Sequence, residues 1–301
     1  MVERLSARPW LKSALTQLLV LAALFFLGRH LVSNWRDLAP TLQQFRAGYV
    51  VTAFLLTLIM DLLMPLGWIR AMRWVGVPLP VGAGLRIYYR SSILRYIPGS
   101  LWYLPSRAYL CSQRGIPATA FARSAVLELM MSLLVGGALG GAALARSFAK
   151  PWLLVVAGAG VTGLALLLLA PARPLHWFTR GNVEGPSGRR SDLILMVVIY
   201  LGVWIAYGAA IWVLLPGLGG GVILSSSSFF RVVEATAAAW IAGFISPVPT
   251  GIGVREAALA GLLGGMAPSS FLVLVSLAQR SLELLADAGT WLAANFVREP
   301  R

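Results

Sequence analysis

Long apolar stretches, each close to the length needed to cross a lipid bilayer, recur along this chain of 301 residues. The hydrocarbon core of a bilayer is about 30 Å thick, and an α-helix of about 20 residues crosses it. Only 12% of the residues are charged and 58% are hydrophobic, a balance with which a soluble domain could not cover its surface. The same apolar content excludes a disordered chain. The sequence therefore predicts an all-α polytopic membrane protein, folded as a single integral membrane domain over 1–301.

Composition also excludes several kinds of chemistry. The chain has one cysteine and two histidines, His30 and His176, which lie far apart. A disulfide framework and a CxxC pair are therefore excluded, and we expect neither a metal site nor a cofactor. The formal net charge is +14, but arginine in the loops of a membrane protein usually sets its orientation. We therefore expect no nucleic-acid partner.

Hydropathy divides the chain into ordinary spans and two broken segments. Six transmembrane helices are predicted, at about 13–33, 47–69, 119–145, 151–172, 193–215 and 269–297. The segments 80–116 and 231–267 are apolar but contain Pro and Gly near their middles, at Pro98-Gly99 and at Pro247 to Gly253. A break leaves backbone groups unpaired, which lipid does not tolerate unless protein or water surrounds them. These segments are predicted to be re-entrant helical hairpins, and the alternative is two ordinary kinked spans each.

Arginine distribution predicts the orientation. With both hairpins re-entrant, most of the basic residues fall on one side, which the positive-inside rule assigns to the cytoplasm. We therefore expect a multi-pass protein of the cytoplasmic (inner) membrane with both termini cytoplasmic. The first hairpin would enter from the cytoplasmic face and the second from the external face, the layout expected of an inverted repeat.

Charged residues inside membrane spans are costly and rare, so each one is a candidate functional residue. Asp61 lies in the second span and Glu128 in the third, and each needs either a proton or a basic partner. The last span has polar residues three and four positions apart, a spacing that places them on one helical face. These residues are Ser276, Arg280, Glu283, Asp287 and Thr290. The stripe either lines a cavity or is packing glue, in which Arg280 pairs with Glu283 and Asp287.

Both broken segments contain groups suited to an anionic headgroup. Arginine in the first has no nearby acid in sequence, and its planar guanidinium can hold a phosphate bidentately. In the second, a glycine-rich turn leads into a half-helix, whose N-terminus favours anions. The alternative is a surface that attracts anionic lipid without transporting it. The candidate headgroup residues are Arg95, Arg107, Gly251, Gly253, Arg255 and Glu256.

The two broken segments carry a resemblance to a known family. They resemble the membrane domain of the lysylphosphatidylglycerol synthase family, the flippase-like part of the multiple peptide resistance factor. The residues that carry the resemblance are Arg95-Tyr96-Ile97-Pro98-Gly99-Ser100-Leu101-Trp102, Arg107 to Gly115, and Pro247 to Glu256. The resemblance implies a bundle with two re-entrant hairpins that moves lipids, or lipid-linked sugars, between leaflets. The soluble aminoacyl-transferase domain of the full synthase has no counterpart in these 301 residues, so we do not expect enzyme activity or catalytic residues.

The leading functional hypothesis is a flippase or scramblase for an anionic or phosphate-bearing lipid, which could be polyprenyl-linked. Its partners would be membrane lipids with anionic headgroups. A non-catalytic scaffold for a glycan or lipid assembly complex is the alternative, with glycosyltransferases or cell-envelope assembly proteins as partners. A membrane-embedded glycosyl or headgroup transferase is a third hypothesis, for which Glu283 and Asp287 are the close acidic pair.

Overall fold

Helices make up almost the whole described part of the protein. The computed structural model describes residues 29, 32–33, 35–36, 43–96, 102–147, 154–169, 188–219, 225–246, 248 and 251–296. Of these residues 86% are helical and none is in a strand, which confirms the predicted all-α fold. The helices are α1 (Ala47–Trp74), α2 (Val81–Ser92), α3 (Tyr103–Ser112), α4 (Ala118–Ser147), α5 (Leu154–Leu169), α6 (Arg190–Gly217), α7 (Ser226–Ile245), α8 (Val254–Leu263) and α9 (Ser269–Phe296). A 3₁₀ turn, Ile93–Tyr96, follows α2.

Five of these helices are long and apolar enough to cross a membrane, namely α1, α4, α6, α7 and α9. Four of them coincide with predicted spans, and the span predicted at 151–172 contains the shorter helix α5. The span predicted at 13–33 lies almost wholly outside the described residues. The protein is therefore a multi-pass α-helical membrane protein.

The two broken segments contain the short helices of the fold. α2 has 12 residues, and α3 and α8 have 10 each, so none exceeds about 18 Å in length. α7 starts at Ser226 rather than at 231, because Ser225 caps it by accepting from the Ser228 N–H at 3.2 Å. Residues 97–101, 247, 249 and 250 lie outside the described part. The re-entrant course of both segments stays a prediction.

α6 and α9 organise the helix packing. α6 lies along α1 and also contacts α4 and α7, and its end accepts a hydrogen bond at Gly217 O from the Arg46 N–H at 2.9 Å. α9 packs on α1 and also contacts α2, the 3₁₀ turn and α8. The last helix therefore touches elements of both broken segments.

Glycines allow α4 to approach its neighbours closely. A Cβ added at Gly140 would lie 2.7 Å from the Ala238 nitrogen on α7, and one at Gly136 would lie 2.7 Å from the Trp204 ring on α6. Both glycines therefore form small-residue helix contacts. α5 uses the same device, because a Cβ at Gly160 would lie 2.5 Å from the Ala138 nitrogen on α4. Close backbone approach is a common basis of helix association in lipid.

Gly160→Ala should destabilise the protein by about 1–3 kcal/mol, because the new methyl group has backbone atoms in its way. Gly158→Ala is the matched control on the same helix, since no atom lies within 4 Å of the added Cβ. It should leave stability unchanged or raise it by up to about 1 kcal/mol. Thermal unfolding in detergent measures both, and equal unfolding midpoints for the two variants would contradict the close α4–α5 contact.

Orientation can be tested with single cysteines in a Cys111→Ala background. Cys111 is buried, and burial raises the pKa of its thiol to about 11, so it reacts poorly with labels even before it is removed. The predicted orientation places Gln113 on the cytoplasmic side and Ser269 on the external side, and both residues are exposed. A maleimide that does not cross membranes should label Ser269→Cys in intact cells and Gln113→Cys in inverted vesicles. Labelling of both from one side would refute opposed hairpins.

Candidate functional site

The polar face of α9 contacts both broken segments. Arg280 Nε lies 3.1 Å from Glu256 Oε1 on α8. About two helical turns further on, Asp287 Oδ2 lies 3.6 Å from Arg95 Nη1 in the 3₁₀ turn. Two turns correspond to about 10 Å along the axis. The polar stripe predicted on the last helix therefore contacts both broken segments, at two positions along its axis.

Arg280 forms an ion pair with an acid on another helix, which the packing alternative did not include. That alternative paired Arg280 with Glu283 and Asp287 on its own helix, whereas the observed ion pair crosses to Glu256. Glu256 is completely buried, and a buried carboxylate needs a cation beside it. Glu283 instead faces the Tyr207 hydroxyl on α6. Ser276 is buried on the same face.

Glycine conformation shapes the second break. Gly251 and Gly253 have φ values of 64° and 84°, a region that other residues rarely adopt. Gly251 also packs against the Gly243 backbone, where a Cβ would lie 2.6 Å from its Cα. The Gly253 N–H then donates to Glu256 Oε2 at 2.6 Å, as in one half of a capping box. One carboxylate thus caps α8 and also binds Arg280.

Arg255 has a different environment from its neighbour Glu256. Its guanidinium carbon lies 5.4 Å from the centre of the Trp240 ring, within the range of a cation–π contact. Its stem fills the space left by Gly243, where a Cβ would lie 2.4 Å from Arg255 Cγ. Among the described residues, no carboxylate forms an ion pair with Arg255. Arg255 is therefore a partly exposed cation at the N-terminus of a half-helix.

The first break brings two carboxylates together. Asp61 on α1 and Asp287 on α9 lie close enough to act on each other electrostatically, and Arg95 acts on both. Thr290 donates its hydroxyl to Asp61 Oδ2 at 2.9 Å, and Tyr89 donates to the Asp61 carbonyl oxygen at 3.1 Å. The Thr290 hydroxyl also lies 3.2 Å from the Asp287 carbonyl oxygen. Both acids are 3% exposed. Elements from opposite ends of the sequence therefore form one charged cluster.

Arg107 is enclosed by aromatic rings and a carboxylate. It donates from Nη1 to Glu128 Oε2 at 2.9 Å and from Nε to Ser91 Oγ at 3.2 Å. Its guanidinium carbon lies 3.8 Å from the centre of the Tyr88 ring, and the Tyr88 hydroxyl donates to Glu128 Oε1 at 3.0 Å. The side chain is only 1% exposed. Glu128 thus has the basic partner that it needs, and Arg107 could reach a headgroup only if this pair opened.

Several residues of the candidate site could not be identified from the sequence. Tyr88 and Tyr207 are aromatic residues in apolar surroundings, and Ser91 is one serine among many. Gln279, which donates to the Thr57 hydroxyl at 3.0 Å, was also missed. It lies one residue before Arg280, so the polar periodicity of α9 could have included it.

Arg107→Gln should destabilise the protein by about 3–5 kcal/mol, because it leaves Glu128 with no basic partner in a mostly buried place. Arg255→Gln should cost no more than about 1 kcal/mol, because it removes a cation–π contact and breaks no ion pair. Thermal unfolding in detergent gives the comparison. The double variant Arg107→Gln, Glu128→Gln should recover part of the loss, and the absence of any recovery would contradict this account of the pair.

Similarity to known proteins agrees with the architecture. No curated protein shows significant similarity to the chain. The model of the family described as "Lysylphosphatidylglycerol synthase TM region" matches residues 10–287. The match covers the five candidate spans almost completely and both broken segments, and it suggests a function connected with membrane lipids. The chain belongs to the lysylphosphatidylglycerol synthase transmembrane-region family.

Proposed function

We propose that this protein moves an anionic or phosphate-bearing lipid between the two leaflets of the membrane, as a flippase or scramblase. The observation that carries the proposal is the polar face of α9, which contacts the second break through Arg280 and the first break through Asp287. A stripe of this kind gives a headgroup polar contacts at successive depths. Without such contacts, an ionised group at the bilayer centre costs several kcal/mol, on the order of 3 or more.

The exposure of the ion pairs along the stripe favours a headgroup pathway over a purely structural role. Arg280 and Arg95 are 20% and 29% exposed at their side chains, whereas their partners Glu256 and Asp287 are 0% and 4% exposed. The cations therefore lie nearer to open space than the acids. A phosphate approaching from that side would meet guanidinium groups first, which favours binding of an anion.

Arg255 is the best candidate for direct headgroup binding in the second break. It has no carboxylate partner in the described part of the chain, and it is the second residue of α8. Free N–H groups and the dipole at the start of a helix favour a phosphate there. Arg255 would supply the forked donor that fits phosphate oxygens.

Translocation of fluorescent phosphatidylglycerol in proteoliposomes tests the proposal, with dithionite quenching to report the leaflet. Arg255→Gln should reduce the protein-dependent rate about tenfold or more, which corresponds to a loss of about 1.4 kcal/mol at the rate-limiting step. Arg255→Lys should keep an intermediate rate, because lysine retains the charge without the fork.

Arg231→Gln is the matched control. It removes the same charge from an exposed position in the other helix of this broken segment, so it should translocate at the wild-type rate. The proposal fails if wild-type protein moves no labelled phosphatidylglycerol and no labelled polyprenyl phosphate above empty liposomes. A scaffold would give that result. Equal rates for Arg255→Gln and Arg231→Gln would reject Arg255 as a headgroup ligand.

A further inference from the structure

The carboxylate cluster at the first break has a charge arrangement that a single ion pair does not explain. Asp61 lies near the middle of α1, a candidate span. It meets Asp287 at Thr290, whose hydroxyl lies 2.9 Å from Asp61 Oδ2 and 3.2 Å from the Asp287 carbonyl oxygen, and the two acids act on each other electrostatically. Both are 3% exposed. Two adjacent carboxylates in a low-dielectric site repel each other strongly, and such pairs commonly hold one proton between them.

The groups that face this pair come from every element packed around it. Arg95 from the 3₁₀ turn is the cation that acts on both acids. Thr290 from α9 and Tyr89 from α2 contribute hydroxyl groups. Glu283 lies one turn before Asp287 on α9, beside Tyr207 of α6. Arg107 on α3 and Glu128 on α4 form an ion pair with each other. Two carboxylates and one guanidinium sum to −1, so one added proton makes this cluster neutral.

We propose that Asp61 and Asp287 bind a proton that controls whether Arg95 is held by the carboxylates or is released to a lipid phosphate. In the loading step, a proton from water adds to a carboxylate oxygen of the pair, and Arg95 leaves Asp287 for a phosphate oxygen. In the reverse step, Arg95 returns to Asp287 and the proton goes back to water. No covalent bond other than O–H forms or breaks. This inference rests on the proposed lipid movement and adds a proton-linked step to it.

Arg95 is placed to make this exchange. Its Nη1 is 3.6 Å from Asp287 Oδ2, which is longer than a direct hydrogen bond, and its side chain is 29% exposed. A phosphate that approaches this side of the bundle therefore competes with Asp287 for the Arg95 guanidinium. Protonation weakens the hold of the carboxylates and shifts the competition toward the phosphate. Lower pH should favour headgroup binding at Arg95, and higher pH should oppose it.

The chain contains a natural control for this arrangement. Arg70 Nη1 lies 3.6 Å from Asp192 Oδ1, and Asp192 is 6% exposed. The distance and burial match those of the Arg95–Asp287 contact, but no second acid lies beside Asp192 in the described part of the chain. One acid beside one arginine is neutral without a proton, so Asp192→Asn should not change proton binding.

Infrared spectroscopy of the purified protein tests proton binding without any transport measurement. The carbonyl stretch of a protonated carboxyl group should appear in wild-type protein and should weaken as the pH rises. The Asp61→Asn and Asp287→Asn variants should each lose it, because one remaining acid is neutralised by Arg95. Asp192→Asn should keep it. A wild-type spectrum in which neither Asn variant changes this absorption would overturn the proton site.

Lipid movement in the same four proteins tests the coupling. Translocation of fluorescent phosphatidylglycerol by wild-type protein and Asp192→Asn should fall by up to about tenfold per pH unit above the midpoint of the infrared titration. Asp61→Asn and Asp287→Asn should give flat pH profiles, with thermal unfolding used to verify that both are folded. A wild-type rate independent of pH, or one that follows sodium instead, would overturn the coupling. No translocation by wild-type protein would reject the proposed function, and the infrared result would still decide whether the pair binds a proton.

Discussion

The cost of a charged group inside a membrane governs how the short helices of this protein are held. Three ion pairs connect them to long helices: Arg107 with Glu128, Arg280 with Glu256, and Arg95 with Asp287. α3 and α8 have only 10 residues each, which gives them limited apolar area for packing. A buried charge that loses its partner costs about 3–5 kcal/mol, so these pairs fix where the short helices can lie.

The long helices are held together by a different interaction. Glycines on α4 and α5 bring backbones within contact distance, at Gly140 against Ala238 and at Gly160 against Ala138. Such contacts rely on close packing, which tolerates little displacement. The protein thus combines a tightly packed frame of long helices, which includes α7 of the second broken segment, with short helices held by charge. Ion pairs can exchange partners with an anionic ligand, whereas packed backbones cannot. Under the proposed function we therefore expect movement at the short helices of the broken segments.

α9 connects these two kinds of structure. It packs on α1, and its polar positions reach Glu256 on one broken segment and Arg95 on the other. A change at one break therefore acts on the same helix that contacts the other break. The carboxylate pair of Asp61 and Asp287 lies where α9 meets both α1 and the first break, so protonation there would alter contacts on three elements at once.

The sequence by itself predicted four of the five candidate spans and the polar face of α9. It did not predict α7 as a span, because most of α7 lies in the segment predicted to be re-entrant. Bilayer thickness sets the length of an apolar helix, and helical periodicity places residues three or four apart on one face. Tertiary structure decided the partners on other helices. Arg280 meets Glu256 on α8, and Arg107 meets Glu128 within an aromatic enclosure. Sequence spacing reports neighbours on the same helix only. Which side chains meet across helices depends on how the helices pack, and that depends on the whole chain.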